Sequence, residues 1–389
     1  MKKFKLSLLV KIIIAICLGL VLGQFLPSPL VRVFVTFNSL FSAFLNFCIP
    51  LIILGLVAPG IADLGKKAGR LLFITTIIAY GSTLFSGFFT YFSCNETFPS
   101  LLSNNIVDGN VQNPEDGLLQ AFFTLDMPPV FEVITALVLA FIIGIGASFG
   151  GSTIKTLLNE FKMVVEKLIV SAIIPLLPYY IFGIFLNMSS SGTAFVVIGI
   201  FGKVIGVIFV LHILLLLIQY SVAGAVSKRN PIKMLITMLP AYVTALGTSS
   251  SAATIPVTLV QTKKNGVDEE IADFCVPLCA TIHLAGSTMK ITAMALAICI
   301  MKGLPHDIAL FSGFILMLGI MMIAAPGVPG GAIMAAVGIL QSMLGFDEES
   351  IGLIIALYIA IDSFGTACNV TGDGAIAVVV NKIARKKTK

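Results

Sequence analysis

The chain is a succession of long apolar runs separated by short polar intervals. A helix needs about 20 mostly apolar residues to cross a hydrocarbon core of roughly 30 Å. Such runs occupy roughly residues 7–26, 34–58, 71–92, 129–149, 164–186, 194–222, 277–301 and 350–381. Each is predicted to be a transmembrane helix. Two further apolar stretches, 231–262 and 306–345, are broken in the middle by small residues and proline. In the first, Pro231 to Leu246 is 16 residues, about 24 Å of helix and too short to cross.

Charge places the ends of these stretches. With the N-terminus inside, 20 of the 24 Lys and Arg fall in inner loops and the C-terminal tail. The interval from Ser93 to Pro128 holds five acids and no Lys or Arg, the pattern of an outer loop. Residues 231–262 lie between Lys228–Lys233 and Lys263–Lys264, so both ends are inside. Residues 306–345 have both ends outside. Each stretch therefore enters and returns on its own side. Irregular backbone at membrane depth survives only inside protein or against a wet cavity. Paired interruptions of this kind point to a secondary transporter built from inverted repeats. The expected fold is an all-α integral membrane protein with eight transmembrane helices and two oppositely oriented re-entrant hairpins.

Composition narrows the class. Of the 389 residues, 58% are hydrophobic and 11% charged, against about 45–50% and 25% in soluble domains. That excludes a soluble enzyme and a nucleic-acid binder. Lys2, Lys3 and Lys5 before an apolar run imitate a signal peptide, but Lys11 interrupts that run, and a first transmembrane helix is the better reading. Seven cysteines include Cys275 and Cys279 without partners at zinc-type spacing.

The chemistry sits in four places. The first hairpin tip reads Gly247-Thr248-Ser249-Ser250-Ser251-Ala252-Ala253-Thr254-Ile255-Pro256. Its amides and hydroxyls suit a carboxylate at the start of a half-helix. The second tip, Pro326-Gly327-Val328-Pro329-Gly330-Gly331-Ala332, frees carbonyls for a small cation and supplies hinges for a gate. In the last span, Asp362, Thr366, Asn369 and Asp373 are spaced to share one helix face. Two intramembrane aspartates need cationic company: an ion, a substrate amine, protons, or Lys290. In the seventh span, His283, Ser287 and Lys290, spaced by four and three, also share a helix face. A hydrolytic His283–Ser287 pair is disfavoured, because no acid nearby in sequence orients the histidine.

The Ser-rich tip followed by Thr254-Ile255-Pro256, the Gly-Val-Pro-Gly-Gly tip and Asn369-Val370-Thr371-Gly372-Asp373 together resemble the dicarboxylate/amino acid:cation symporter family. The specific motifs cover 231–381, and the earlier spans match in number, order and length. The resemblance implies a homotrimer in the lipid bilayer with a scaffold and a transport domain moving as an elevator. Its parts would be six helices over 1–230, the third and sixth joining the transport domain, and a first hairpin at 231–262. The seventh helix would lie within 263–305, the second hairpin within 306–345, and the eighth helix and basic tail within 346–389. By position, Asp362 matches the residue that binds the substrate amino group. Ser250 and Ser251 match the α-carboxylate cradle, Gly327 and Val328 the second tip, and Ser287, Thr366 and Asn369 the pocket. Asn369 and Asp373 match sodium ligands.

Departures from the family pattern carry the substrate reading. Acidic-substrate members place an arginine in the last helix or the first tip, where this chain has Gly365 and Ser249. A buried second carboxylate would lack its bidentate partner. The expected substrate is therefore a small neutral amino acid resembling serine, threonine or alanine. The alternative is a sodium- or proton-coupled symporter of dicarboxylates or acidic amino acids, with Lys290 gripping the second carboxylate. The usual Asn-Met-Asp-Gly-Thr motif is His283-Leu284-Ala285-Gly286-Ser287 here, which removes ligands from a second sodium site. Lys290 as a tethered charge near that site, or His283 as a proton relay, would compensate. The coupling ion is expected to be Na+, or else H+. The setting is a bacterial inner membrane with both termini cytoplasmic, and neither an enzyme nor a nucleic-acid partner is expected.

Overall fold

The computed structural model describes residues 8–63, 70–102, 118–150, 152–192, 194–325 and 330–385. Every regular element among them is helical. In chain order these are α1 (Leu8–Leu22), α2 (Ser28–Asp63), α3 (Arg70–Leu102), α4 (Val133–Phe149), α5 (Ser152–Leu168), a π-helical turn at Ile169–Ile173, α6 (Ile174–Ser190) and α7 (Ala194–Ser227). They continue with α8 (Pro231–Thr237), α9 (Leu239–Thr248), α10 (Ser251–Lys264), α11 (Glu269–Ile282), α12 (Ala285–Lys302), α13 (Ile308–Ala324), α14 (Gly331–Leu344), α15 (Glu348–Ala360) and α16 (Asp362–Arg385).

Six helical segments among the described residues are long and apolar enough to cross a membrane: Ser28–Ala62, Leu71–Leu102, Ser152–Ser190, Val197–Ser227, Glu269–Lys302 and Asp362–Ala384. They overlap six of the eight expected spans. The first and fourth spans form shorter apolar helices, Val10–Leu22 and Val138–Phe149. The molecule is thus a multi-pass membrane protein. Its outward faces carry large apolar side chains such as Phe73, Ile142, Val164 and Ile213, which suit lipid.

Packing sorts the helices into two groups. α1, α2, α4, α5 and α6 pack on one another, whereas α3 and α7 pack against α12 and α16. At the centre lies α12, buried at every residue from Ala285 to Cys299. Both broken stretches double back. α9 packs on α10 and α13 on α14. Polar caps start the arms: Asn230 accepts from the Lys233 amide, and Asp307 from those of Ala309 and Leu310. Arg229 donates to the Asn265 carbonyl and Asn265 Nδ2 to the Met234 carbonyl, closing the base of the first hairpin.

Two expected helices are discontinuous. The stretch expected at 277–301 begins at Glu269, contains Pro277 inside α11, and breaks at His283 and Leu284. Both break residues leave the helical conformation, with φ −109° and ψ 97° at His283. The last span breaks at Ile361, between α15 and α16. His283 therefore does not continue the face of Ser287 and Lys290. Among the described residues, a pair of packed helices followed by a broken helix occurs twice.

Candidate functional site

The first hairpin tip turns on Ser249, the residue where the helix ends in the left-handed conformation (φ 49°). Ser250 restarts it in extended geometry, its side chain accepting from the Ala253 amide at 3.3 Å. Ser250 is thus partly occupied as a cap, while its neighbour Ser251 is buried and faces a cavity. That cavity is small, about 30 Å³, room for a water molecule or so. Ser251, Ser287, Asp362, Thr366 and Asn369 all line it. Five residues marked in the sequence from three separate segments therefore meet. Thr281 and Tyr358 line it too and were missed. Tyr358 is a lone polar residue in an apolar run, the only signal for it. Gly327 and Val328 lie outside the described residues.

Asp362 opens α16 beside this cavity. Its Oδ1 is 3.2 Å from Lys290 Nζ, and its Oδ2 accepts from the Gly330 amide at 2.9 Å. Gly330 holds a left-handed backbone (φ 76°) at the start of α14, so a hairpin arm is tied to the carboxylate. Lys290 also donates to the Ile361 carbonyl at 3.3 Å and lies 3.7 Å from the centroid of the Tyr358 ring. From Tyr358 the network runs on. Its hydroxyl donates to Ser287 Oγ (2.9 Å), which also accepts from Asn369 Nδ2 (3.2 Å). Asn369 Oδ1 accepts the Gly286 amide at 2.7 Å. That last bond captures a donor of the first turn of α12 and so stabilises the helix break.

Asp373 is deeper and entirely buried. Its Oδ1 is 2.8 Å from His283 Nδ1, and His283 Nε2 is 3.1 Å from Ser82 Oγ. Gln219 Nε2 donates to Ser82 Oγ at 3.0 Å. The donors can be ordered along this chain: amide to hydroxyl, hydroxyl to Nε2, and Nδ1–H to the carboxylate. The second oxygen, Asp373 Oδ2, finds no donor among the described residues. An acid therefore does orient His283, contrary to the reading from sequence, and it comes from 90 positions away. Ser82 and Gln219 were also missed. Polar residues inside apolar spans are the signal for them.

This arrangement holds two buried carboxylates, each with one internal cationic or proton-bearing partner, in the setting of two hairpins and two broken helices. The family model for the sodium:dicarboxylate symporter family matches residues 8–383. The chain belongs to that family. Among its relatives, the serine/threonine transporter SstT of Streptococcus suis is 32% identical over 344 residues, 84% of this chain and 92% of the relative. The proteins of the same name in Acinetobacter baylyi and Acinetobacter baumannii (strain ATCC 17978) are 25% and 28% identical. They cover 98% and 99% of this chain, and 98% of each relative. The symporter is a transporter and not an enzyme, and its family implies cation coupling. Ser82, His283 and Asp373 have the order of a hydrolytic triad, but Ser82 is tied to Gln219 and does not line the cavity.

Proposed function

We propose that the symporter imports a small neutral amino acid of the serine, threonine or alanine type, coupled to sodium. The observation that carries this reading is the shared cavity of Ser251, Ser287, Asp362, Thr366 and Asn369. It offers one carboxylate for an amine, hydroxyls for a small side chain, and no arginine for a second carboxylate. The serine/threonine transporters to which the chain is similar support the same substrate class. Asp362 takes the amino group, and the Ser250–Ser251 tip with Asn369 takes the α-carboxylate. Gly327 and Val328 complete the site from the second tip. Asn369 and Asp373 hold the sodium ion, and Asp373 Oδ2 is the oxygen with capacity to spare.

The same reading extends to the assembly. Eight transmembrane helices and two re-entrant hairpins of opposite orientation form the protomer, with the termini cytoplasmic in a bacterial inner membrane. α1, α2, α4, α5 and α6 form the scaffold of a homotrimer. α3, together with α7 and the helices that follow α7, moves as an elevator.

One observation favours a second reading. Lys290 Nζ lies 2.5 Å from where a Cβ on Gly365 would fall, so a cation stands beside the position of the family's arginine. If Lys290 leaves Asp362 for a substrate carboxylate, the substrate is acidic. Uptake of labelled serine and labelled aspartate into proteoliposomes, under sodium and proton gradients separately, decides. Sodium-driven serine uptake without aspartate uptake is the expected result, and proton-driven aspartate uptake would overturn it.

A further inference from the structure

We propose that Lys290 is a tethered substitute for the substrate's ammonium group, neutralising Asp362 in the empty carrier so that the unloaded protein can switch sides without a counter-ion. The proposal rests on the reading above in which Asp362 receives the substrate amine.

Asp362 is satisfied by groups of the protein alone. Asp362 has both oxygens engaged, one by Lys290 Nζ and the other by the Gly330 amide of the second hairpin. Lys290 in turn has a carboxylate, the Ile361 carbonyl and the face of Tyr358 as partners. The Lys290 side chain is 2% exposed and that of Asp362 10%. Both groups thus find their partners within the protein itself, beside a cavity lined by Ser251, Ser287, Thr366 and Asn369.

Charge explains why a tether is needed. A lone aspartate buried at membrane depth is strongly disfavoured. A carrier that filled Asp362 only with substrate would leave that charge bare on the empty return. With Lys290 present the empty site is neutral. A zwitterionic substrate adds no net charge, so the loaded site is neutral as well. On loading, the substrate amine displaces Lys290 from Asp362, and the lysine keeps the Ile361 carbonyl and the Tyr358 ring. Gly365 is what admits this lysine, because a Cβ there would collide with Lys290 Cε and Nζ.

The full-length protein in proteoliposomes tests this with labelled serine in two assays. Net uptake requires the empty carrier to return, whereas exchange against lumenal serine does not. For Lys290→Ala we expect net uptake to fall by at least about tenfold while exchange stays within about twofold of the native protein, since Asp362 lacks a cationic partner only in the empty form, the substrate amine being its partner in the loaded one. Methylammonium in the lumen should restore net uptake, a rescue that a purely structural lysine would not give. If the alanine variant does not assemble, Gly365→Ala displaces the ammonium without deleting it and is expected to separate the two assays in the same direction. Parallel loss of exchange and net uptake, or no change in either, would overturn the proposal. Absence of serine transport by the native protein would instead overturn the parent reading, and the inference with it.

Discussion

Two aspartates eleven residues apart on α16 solve the same electrostatic problem differently. Asp362 borders a cavity and has both oxygens engaged, by Lys290 and by a hairpin amide. Asp373 borders none of the cavity, is fully buried, and has one oxygen engaged by His283 and one orphaned. In each case a glycine makes room for the partner. A Cβ on Gly365 would strike Lys290, and one on Gly372 would come within 2.7 Å of His283 Cε1. The difference teaches which site can exchange its cation. Asp362 lines the cavity, and its partner sits on a long flexible stem. At Asp373 the partner is a short, rigid ring locked by Ser82 and Gln219, so a ligand there adds to the pair instead of replacing it.

The largest expected effect breaks the first pair. Asp362→Asn leaves Lys290 charged and buried without a counter-charge, a loss of about 3–5 kcal/mol when one partner of such a pair is removed. Serine uptake should fall by at least about a hundredfold at that cost, with lower thermal stability in detergent. Retained uptake would mean that the amine is bound elsewhere. Next comes Asp373→Asn. Hydrogen bonds to charged groups contribute about 1.5–3 kcal/mol, so the sodium concentration for half-maximal uptake should rise by roughly 10- to 100-fold. Serine exchange at saturating sodium should suffer less. An unchanged sodium requirement would remove Asp373 from the ion site.

Much of the contrast was legible in the sequence, but not its partners. The apolar runs located six of the eight expected spans as long apolar helices, and Asp362, Thr366, Asn369 and Asp373 stand on one helix as their spacing requires. The breaks at His283–Leu284 and at Ile361 were not legible, because neither contains Gly or Pro. They are held by tertiary bonds such as that from the Gly286 amide to Asn369 Oδ1, 83 residues away. Reading the seventh span as continuous put His283 on the face of Lys290. The break turns it instead to Asp373. Lys290 and His283 were visible as ionisable groups in an apolar setting, yet only the packing of α12 and α11 on α16 decides which aspartate each one meets.

The two glycines allow a gentler version of the comparison. Gly372→Ala places a methyl group 2.7 Å from His283 Cε1 and 2.8 Å from Gln219 Oε1. Small-to-large changes in packed cores cost about 1–3 kcal/mol, and here the strain falls on the His283–Asp373 pair. Taking the lower end of that cost, about 1 kcal/mol, because His283 and Gln219 are side chains that can shift, the sodium requirement should rise by about fivefold, while the ratio of net uptake to exchange stays that of the native protein. A change in that ratio would mean that the two aspartates act as one unit, and the comparison would fail.

The smallest effect separates the two functions of Tyr358. Its ring lies against Lys290 and its hydroxyl donates to Ser287 in the cavity wall. Tyr358→Phe keeps the ring and removes one hydrogen bond, about 0.5–1.5 kcal/mol. Ser287 Oγ retains Asn369 Nδ2 as a donor, so the pocket is loosened without leaving that oxygen bare. KM for serine should rise by about 2- to 10-fold, and net uptake should fall in proportion to exchange, because Lys290 still meets an aromatic face. A selective loss of net uptake in this variant would show that the hydroxyl, through Ser287, also holds the lysine in place. The empty site would then depend on the whole network from Lys290 to Asn369, and not on the ion pair alone.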